Sequence, residues 1–283
     1  MSEHDIATFM VKELSAEVKE YLGKKVFVPD VKNKEMLMDF YFKMSLYFPE
    51  VYVEFKNRAA KLKEEGIEIL SVHNENYPGN IIKKLKNYMP DYFYTAGNIN
   101  LCNKKSIAVT GTRNVNYFDE EVSKKIGETC AREKLILVTG GASGVDTISA
   151  EETLKNGGEC IVYLPCGIKK SSFYKNHIRY IKNGQLLCLS DVDILKDFSA
   201  YSALKRNKYI HSHGDISVTV HASLRKGGTW AGAYDNLMMG RTPLLVCEDY
   251  YSGNQELINM GAYCLKKEEL LKKEFSLDKF ITG

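Results

Sequence analysis

The chain changes its hydrophobic rhythm about a third of the way along its length. Up to about Tyr94, apolar residues recur at spacings of three and four, as in ATFMVKELSAEVKEYLG, KEMLMDFYFKMSLYF and VYVEFKNRAAKLKEEG. This spacing places them on one face of a helix, and Gly23 and Gly66 follow such stretches as helix stops. We therefore predict a small helical N-terminal module over residues 1–75 and a lead-in segment over residues 76–105.

From Ser106 onward, short apolar and β-branched runs alternate with amphipathic stretches. The predicted strands are SIAVT (106–110), LILVT (135–139), CIVYL (160–164), LLCLS (186–190), ISVTV (216–220) and PLLVC (243–247). Between the first two, Val122, Ile126 and Cys130 recur every four residues and share a helix face. Continuous apolar strands separated by helices indicate a mainly parallel sheet covered on both faces. We predict a doubly wound α/β domain over residues 106–283.

Composition and charge exclude several classes of protein. The 283 residues are 44% hydrophobic and 27% charged, which is ordinary globular composition. The 39 Lys and Arg against 36 Asp and Glu leave a net charge of +3, too small for a protein that holds nucleic acid by bulk charge. No apolar run approaches a membrane span and the N-terminus lacks a signal-peptide pattern, so we expect a cytoplasmic protein. The seven cysteines form no C-x-x-C pair, which predicts buried thiols.

Glycine-bearing turns follow three of the predicted strands. They contain Gly111, Thr112 and Arg113, then Gly140, Gly141, Ser143, Gly144 and Asp146, and finally Lys226, Gly227, Gly228 and Thr229. Glycine lets the backbone approach an anion closely, and the N–H groups at a helix start point at it. Arg113 and Lys226 would add charge-assisted hydrogen bonds. The turns therefore predict a phosphate site, although glycines that only make tight turns are the alternative. Neither G-x-G-x-x-G nor the P-loop spacing is present.

Positive charge is concentrated in residues 167–226, where 11 Lys and Arg face four Asp and leave +7. The aromatic residues interleaved with them are Tyr174, Tyr180, Phe198, Tyr201 and Tyr209. Basic side chains follow a phosphate backbone, and aromatic rings stack on bases. The alternative is a solvated helix face above core tyrosines. The cluster of Lys205, Arg206, Asn207 and Lys208 favours a bound anion, because three basic residues in four repel one another.

The sequence contains no evident catalytic set. His211 and His213 are two apart and would not share a helix face, and no H-E-x-x-H is present. Ser143 and Ser149 lie near Asp146 without forming a G-x-S-x-G elbow. We therefore expect a binding protein with no cofactor, no metal and no covalent chemistry.

Taken in order, these motifs resemble the DNA-processing protein A family, known as DprA or Smf. The likeness covers about residues 76–265 and rests on NYPGNIIKKLKNYMPDYFYTAGNINL, SIAVTGTRN, VTGGASGVD, KRNKYIHSHGD, KGGTWAGAYDNLMMGRTPLLVCE and GNQELINMGA. It implies a Rossmann-like domain that binds single-stranded DNA in a positive pocket. It also implies a homodimer that delivers the strand to a RecA-type recombinase in natural transformation. By position, Gly111, Thr112, Arg113, Gly140, Gly144 and Asp146 fall on the family's phosphate-pocket motifs, and Arg206, Asn207 and Lys208 fall on its Arg-Asn-Arg segment.

The sequence departs from the family pattern at two pocket positions. Ser143 stands where the family has Arg, and Ala150 stands where it usually has His. The family's frequent C-terminal winged-helix module is expected to be absent. A nucleotide-sensing pocket on the same fold remains an alternative. Its nucleotide-cleaving version requires a Glu after the Gly-Gly-x-Gly-Thr turn, and here only Asp235 lies nearby.

Overall fold

The computed structural model describes residues 1–23, 25–248 and 252–282. Its strands, numbered in chain order, are β1 Glu68–Ser71, β2 Tyr92–Gly97, β3 Ser106–Thr110, β4 Ile136–Thr139, β5 Cys160–Tyr163, β6 Leu186–Ser190, β7 Ile216–Thr219, β8 Leu244–Cys247 and β9 Tyr263–Leu265. Its helices are α1 Glu3–Glu13, α2 Ala16–Gly23, α3 Lys34–Tyr47, α4 Pro49–Glu64, α5 Gly79–Leu85, α6 Tyr117–Glu133, α7 Val145–Lys155, α8 Ser172–Asn176, α9 Ile178–Lys182, α10 Ala200–His213, α11 Gly227–Met238, α12 Ser252–Asn259, α13 Lys267–Leu270 and α14 Lys279–Thr282. Short 3₁₀ helices lie at Lys86–Tyr88, Ile99–Leu101 and Ile168–Lys170.

The strands form one sheet in the order β1-β2-β6-β5-β4-β3-β7-β8-β9. The strands from β3 to β9 are parallel to one another, and both faces of the sheet are covered by helices and buried clusters. The predicted doubly wound, mainly parallel α/β fold is confirmed. From β3 the chain winds outward to β6, then returns to β7 and continues on the other side. The order of strands therefore switches between β3 and β7, where Thr110 lies beside Thr219.

Two strands precede the predicted sheet. β1 and β2 pair antiparallel, and Thr95 of β2 pairs with Leu189 of β6, also antiparallel. The prediction of helix up to Tyr94 was wrong for these runs, because four to six residues are too few for periodicity to separate strand from helix. The three-residue edge strand β9 was also missed. The division of the chain at residues 75 and 105 stays a prediction.

The predicted N-terminal helices form and are joined to the sheet edge through Asp5. This carboxylate is fully buried and completes a capping box with Ser2 at the start of α1. Its Oδ1 accepts hydrogen bonds from the backbone N–H of Ser71 at 2.9 Å and from the Ser71 hydroxyl at 2.7 Å. Its Oδ2 accepts a further one from Nδ2 of Asn74 at 3.2 Å. The helical module and β1 therefore share one buried polar joint.

Other sequence expectations concern membranes, thiols and metals. In the part of the chain that the structure describes, no helix is long and apolar enough to cross a membrane. The cysteines are free thiols, and all except the partly exposed Cys264 are buried, as predicted. Among the described residues, no group of His, Cys, Asp and Glu side chains is arranged to hold a metal ion.

Candidate functional site

A cavity of about 780 Å³ lies at the switch point, against the carboxyl ends of β3 and β7. Open α/β sheets bind ligands at this position. The cavity brings together residues from the turns after β3, β4 and β7 and from the first half of α10. The predicted site residues that line it are Gly111, Thr112, Arg113, Asp146, Arg206, Asn207, Lys226, Gly227, Gly228 and Thr229.

Two of the predicted glycines shape the cavity without lining it. A Cβ on Gly140 would lie only 1.2 Å from Nη1 of Arg206, so the absence of a side chain creates the space that the guanidinium occupies. Gly144 has a φ of +82°, and a Cβ there would lie 2.4 Å from the backbone oxygen of Thr112. These two glycines therefore allow the β4 turn to approach Arg206 and the β3 turn closely.

The remaining predicted site residues lie outside the cavity. Gly141 faces the core, where a Cβ would lie 2.9 Å from Cγ1 of Val162, and Ser143 is exposed. Nζ of Lys205 lies 2.6 Å from Oδ2 of Asp191. Lys208 is exposed on α10. Lys205 and Lys208 therefore occupy a different surface of α10 from Arg206 and Asn207, because adjacent residues on a helix point in different directions.

Arg206 and Asp146 form a buried ion pair in the cavity wall. Each is only 5% exposed, and Nη1 of Arg206 lies 3.7 Å from Oδ2 of Asp146. Burial raises the pKa of Asp146 above its usual value, and the guanidinium of Arg206 opposes this shift. Among the described residues, Nε of Arg206 has no hydrogen-bond partner. The guanidinium is therefore incompletely satisfied by the protein, which is unusual for a buried charge.

Two helices begin at the cavity without side-chain caps. α7 follows Gly144 and α11 follows Lys226, and neither residue gives its helix a capping hydrogen bond. Backbone oxygens of the turns after β3 and β4 accept from the first turn of α7, whereas the first turn of α11 has no such bond within the described residues. The start of α11 is fixed from both sides. The hydroxyl of Thr229 donates to the backbone oxygen of Gly111 at 2.7 Å, and Nδ2 of Asn207 donates to that of Gly228 at 2.8 Å. Uncapped N–H groups held rigidly in this way attract an anion.

Cationic side chains lie at the rim of the cavity. Arg113 and Lys226 are exposed, and neither has a side-chain hydrogen bond or salt bridge within the described residues. Arg225, just before Lys226, adopts a left-handed backbone with a φ of +53°, which is uncommon for a residue with a side chain. A guanidinium of Arg225 lies 3.9 Å from Glu256. The rim therefore presents cations that are free to turn toward a ligand.

The sequence prediction missed an apolar wall of the cavity. The wall consists of Phe198, Ala200, Ala203, Leu204 and Trp230. Phe198 was noted as an interleaved aromatic without a place in the site, and Trp230, the only tryptophan of the chain, follows the GGT turn directly. His221 also lines the cavity, with Nδ1 2.9 Å from Oδ2 of the buried Asp119. Its position two residues beyond β7 is the sequence signal that would have identified it.

Asp235, the residue considered in place of a catalytic Glu, lies elsewhere. Its Oδ2 is 2.6 Å from Nη1 of Arg241, and Asp235 is not among the cavity-lining residues. Its carboxylate is thus engaged in a salt bridge away from the uncapped helix starts. This placement gives the nucleotide-cleaving alternative no support.

Comparisons with known proteins found a family model and a curated relative that match most of the chain. The family model described as DNA recombination-mediator protein A matches residues 68–276. Among curated proteins, DNA processing protein DprA of Bacillus subtilis (strain 168) is 24% identical over 238 residues, which cover 80% of this chain and 77% of the relative.

Two solved structures are similar over most of the chain. The X-ray structure of DNA processing protein A from Streptococcus pneumoniae has a TM-score of 0.65 and 20% identity, covering 98% of this chain and 99% of that one. DNA processing protein A from Helicobacter pylori, solved to explain its single-stranded DNA binding mode, has a TM-score of 0.61 and 23% identity. That match covers 76% of this chain and 94% of the other. At these identities the two structures show a shared fold.

Proposed function

Because the chain belongs to the DNA recombination-mediator protein A family, we propose that its cavity binds single-stranded DNA. The bound strand is protected and passed to a RecA-type recombinase during DNA uptake and recombination, with the protein acting as a cytoplasmic homodimer. The protein works by binding, without a cofactor and without covalent chemistry. The Helicobacter pylori relative, described for its single-stranded DNA binding mode, supports the choice of ligand.

The observation that carries this proposal is the state of Arg206. A guanidinium that is 5% exposed has one carboxylate 3.7 Å away, and its Nε has no partner among the described residues. An anion in the cavity would supply the negative charge that the pocket lacks. Charges interact more strongly in a low-dielectric site than in water. A phosphate next to Arg206 is therefore attracted more strongly than a phosphate next to a cation on an open surface.

The rest of the cavity fits a phosphodiester attached to a base. The uncapped start of α11 and the rim cations Arg113 and Lys226 suit the phosphate. The apolar wall offers Phe198 and Leu204 to an apolar, planar group. Base stacking on such side chains tolerates every sequence, because every base has a π-face. We therefore expect little sequence preference.

The proposal is tested by fluorescence anisotropy with a labelled oligothymidylate in moderate salt. Replacing Arg113 with alanine removes an exposed cation with no ion pair in the described structure, so folding is expected to be unaffected. The dissociation constant should rise about fivefold, because the contact of an exposed guanidinium is screened by solvent but can be bidentate. The matched control is Lys63→Ala, which removes an exposed cation from α4, far from the cavity in the fold.

Competition with mononucleotides separates this function from nucleotide sensing. If DNA is the ligand, a mononucleotide should displace the oligonucleotide only at much higher concentration. A mononucleotide that binds more tightly than the oligonucleotide would favour the sensor. Equal affinities of the wild-type protein, Arg113→Ala and Lys63→Ala for the oligonucleotide would remove the cavity from any role in DNA binding.

A further inference from the structure

We propose that the outer face of α10, formed by Tyr201, Leu204 and Lys208, is a second nucleotide-binding surface that holds the part of the strand leaving the cavity. This inference rests on the proposed function and extends it, because it assigns the ligand's neighbouring nucleotides to named side chains outside the cavity. The affinity would then depend on the length of the DNA strand as well as on its chemistry.

The three residues are placed together by the geometry of the helix. Positions 201, 204 and 208 are separated by three and four residues, so their side chains lie on one face of α10. Tyr201 is 76% exposed and Leu204 is 48% exposed, while Ser202, Arg206, Tyr209 and Ile210 of the same helix are buried. Tyr201 and Leu204 are thus exposed to solvent on a helix whose other face is packed against the protein.

This outer face is continuous with the cavity. Leu204 belongs to both surfaces, since it lines the cavity and also lies beside Tyr201 and Lys208 on the exposed face. Phe198, just before α10, lines the cavity and is 54% exposed. A chain leaving the apolar wall would therefore pass from Phe198 and Leu204 directly onto Tyr201.

The charge on the face suits a polyanion. Lys208 is exposed, and its amine has no salt bridge or hydrogen bond with any other described residue. Lys205 lies at the edge of the face and is partly neutralised by Asp191 at 2.6 Å. A free ammonium group beside an exposed aromatic ring is the combination by which proteins hold single strands without reading their sequence.

The dimensions set the number of nucleotides. The seven steps from residue 201 to residue 208 rise ~10 Å along the helix axis, and stacked nucleotides are spaced ~3.4 Å apart. The outer face therefore has room for about three nucleotides beyond those in the cavity. An oligonucleotide too short to leave the cavity would not reach Tyr201 or Lys208.

The test compares the binding of dT3 and dT12 to the wild-type protein and to the double variant Tyr201→Ala/Lys208→Ala. Affinity for dT12 is measured by anisotropy and affinity for dT3 by its competition with labelled dT12. The double variant should bind dT12 at least about 10-fold more weakly, and its affinity for dT3 should stay within about twofold of wild type. Tyr201→Phe, which keeps the aromatic ring, should bind dT12 like the wild type.

The matched control is Tyr88→Ala/Lys83→Ala, which removes an exposed tyrosine and an exposed lysine from a surface outside the cavity. It should bind both oligonucleotides normally. Unchanged dT12 affinity in the Tyr201/Lys208 variant would overturn the second surface, and so would equal losses for dT3 and dT12. If Arg113→Ala also binds like the wild type, or the wild type binds neither oligonucleotide, the proposed function itself fails and this inference falls with it.

Discussion

Two buried charged residues, Asp5 and Arg206, differ in how completely the protein satisfies their polar atoms. Asp5 joins α1 to the sheet edge, and its two oxygens accept hydrogen bonds from Ser2, Ser71 and Asn74. Arg206 lies in the cavity wall, where its Nε has no partner among the described residues and its carboxylate partner is 3.7 Å away. One charge is fully satisfied by the protein, and the other is left partly unsatisfied.

The difference separates a structural role from a binding role. A buried charge that the protein satisfies completely stabilises one arrangement of the chain and offers nothing to a ligand. A buried charge with unused donors costs stability that a ligand can restore. Burial of a charge alone is therefore a poor sign of function, whereas burial with unsatisfied donors in a cavity is a good one.

The strongest test of this difference is Arg206→Met. Removing the guanidinium from the cavity should weaken binding of oligothymidylate about 100-fold, or ~3 kcal/mol, because a desolvated cation is lost. The variant should also lose stability, since Asp146 is left buried without its ion pair. Anisotropy measures the affinity, and urea denaturation measures the free energy of unfolding.

The double variant Arg206→Met/Asp146→Asn separates the two effects. It removes both charges, so stability should recover while binding stays weak. If the double variant binds DNA as the wild type does, Arg206 is a structural residue and the contrast with Asp5 is void.

The converse test is Asp5→Ala. It should lower the free energy of unfolding by about 3 kcal/mol, because Ser71 and Asn74 lose their acceptor in a buried joint. The affinity of the folded fraction for oligothymidylate should not change, since the joint lies at the far edge strand β1. An Asp5→Ala variant that is as stable as the wild type but binds oligothymidylate poorly would give Asp5 a binding role instead of a structural one.

The stability of the Arg206→Met variant should also depend on pH. Burial raises the pKa of Asp146, and removing Arg206 takes away the charge that opposes this shift. In the folded variant the carboxyl therefore holds its proton to a higher pH than in the unfolded chain, so stability falls as pH rises between the two pKa values. The slope is at most about 1.4 kcal/mol per pH unit. Urea denaturation from pH 5 to 8 measures it, and a variant whose stability rises over this range would contradict it.

The sequence predicts the parallel part of the fold well and the sheet edges poorly. SIAVT and LLCLS are short, continuous apolar runs that form central strands, as such runs predict for a parallel sheet buried on both faces. EILS and YFYTAG were assigned to a helical region, because their strand structure depends on pairing with each other and with β6. Such pairing is a long-range contact that no local pattern reveals.

The site shows a similar limit. The glycine turns could be located because strand ends of a parallel sheet meet at one edge. Arg206 was found from the cluster of basic residues around it. Lys205 and Lys208 were grouped with Arg206 by proximity in sequence, yet the helix directs them to a different surface. Trp230 and the apolar wall could not be placed without knowing how α10 and α11 pack together.

A smaller change should displace the guanidinium of Arg206 without removing it. Gly140→Ala adds a Cβ 1.2 Å from the present position of Nη1, so the guanidinium must move. Affinity for oligothymidylate should fall about 10-fold, or ~1.4 kcal/mol, because the cation is displaced but not removed. Gly23→Ala in the same type of measurement is the control, since a Cβ there meets no atom within 4 Å and the backbone is not left-handed. Equal affinities for the two variants would show that the position of Arg206 does not matter for binding.

The smallest expected effect is that of Lys226→Ala, at the start of α11. Lys226 is exposed at the cavity rim, so a lost phosphate contact there is screened by solvent and should cost only about threefold in affinity. Its signature is the salt dependence, because one fewer phosphate contact lowers the slope of log K against log salt by about 0.7 for a single strand. Arg206→Met should reduce affinity far more for a similar change in slope, since its contribution comes mainly from burial. A Lys226 variant that loses as much affinity as Arg206→Met would show that rim and wall contribute alike, and that burial of the cation is not what sets the strength of binding.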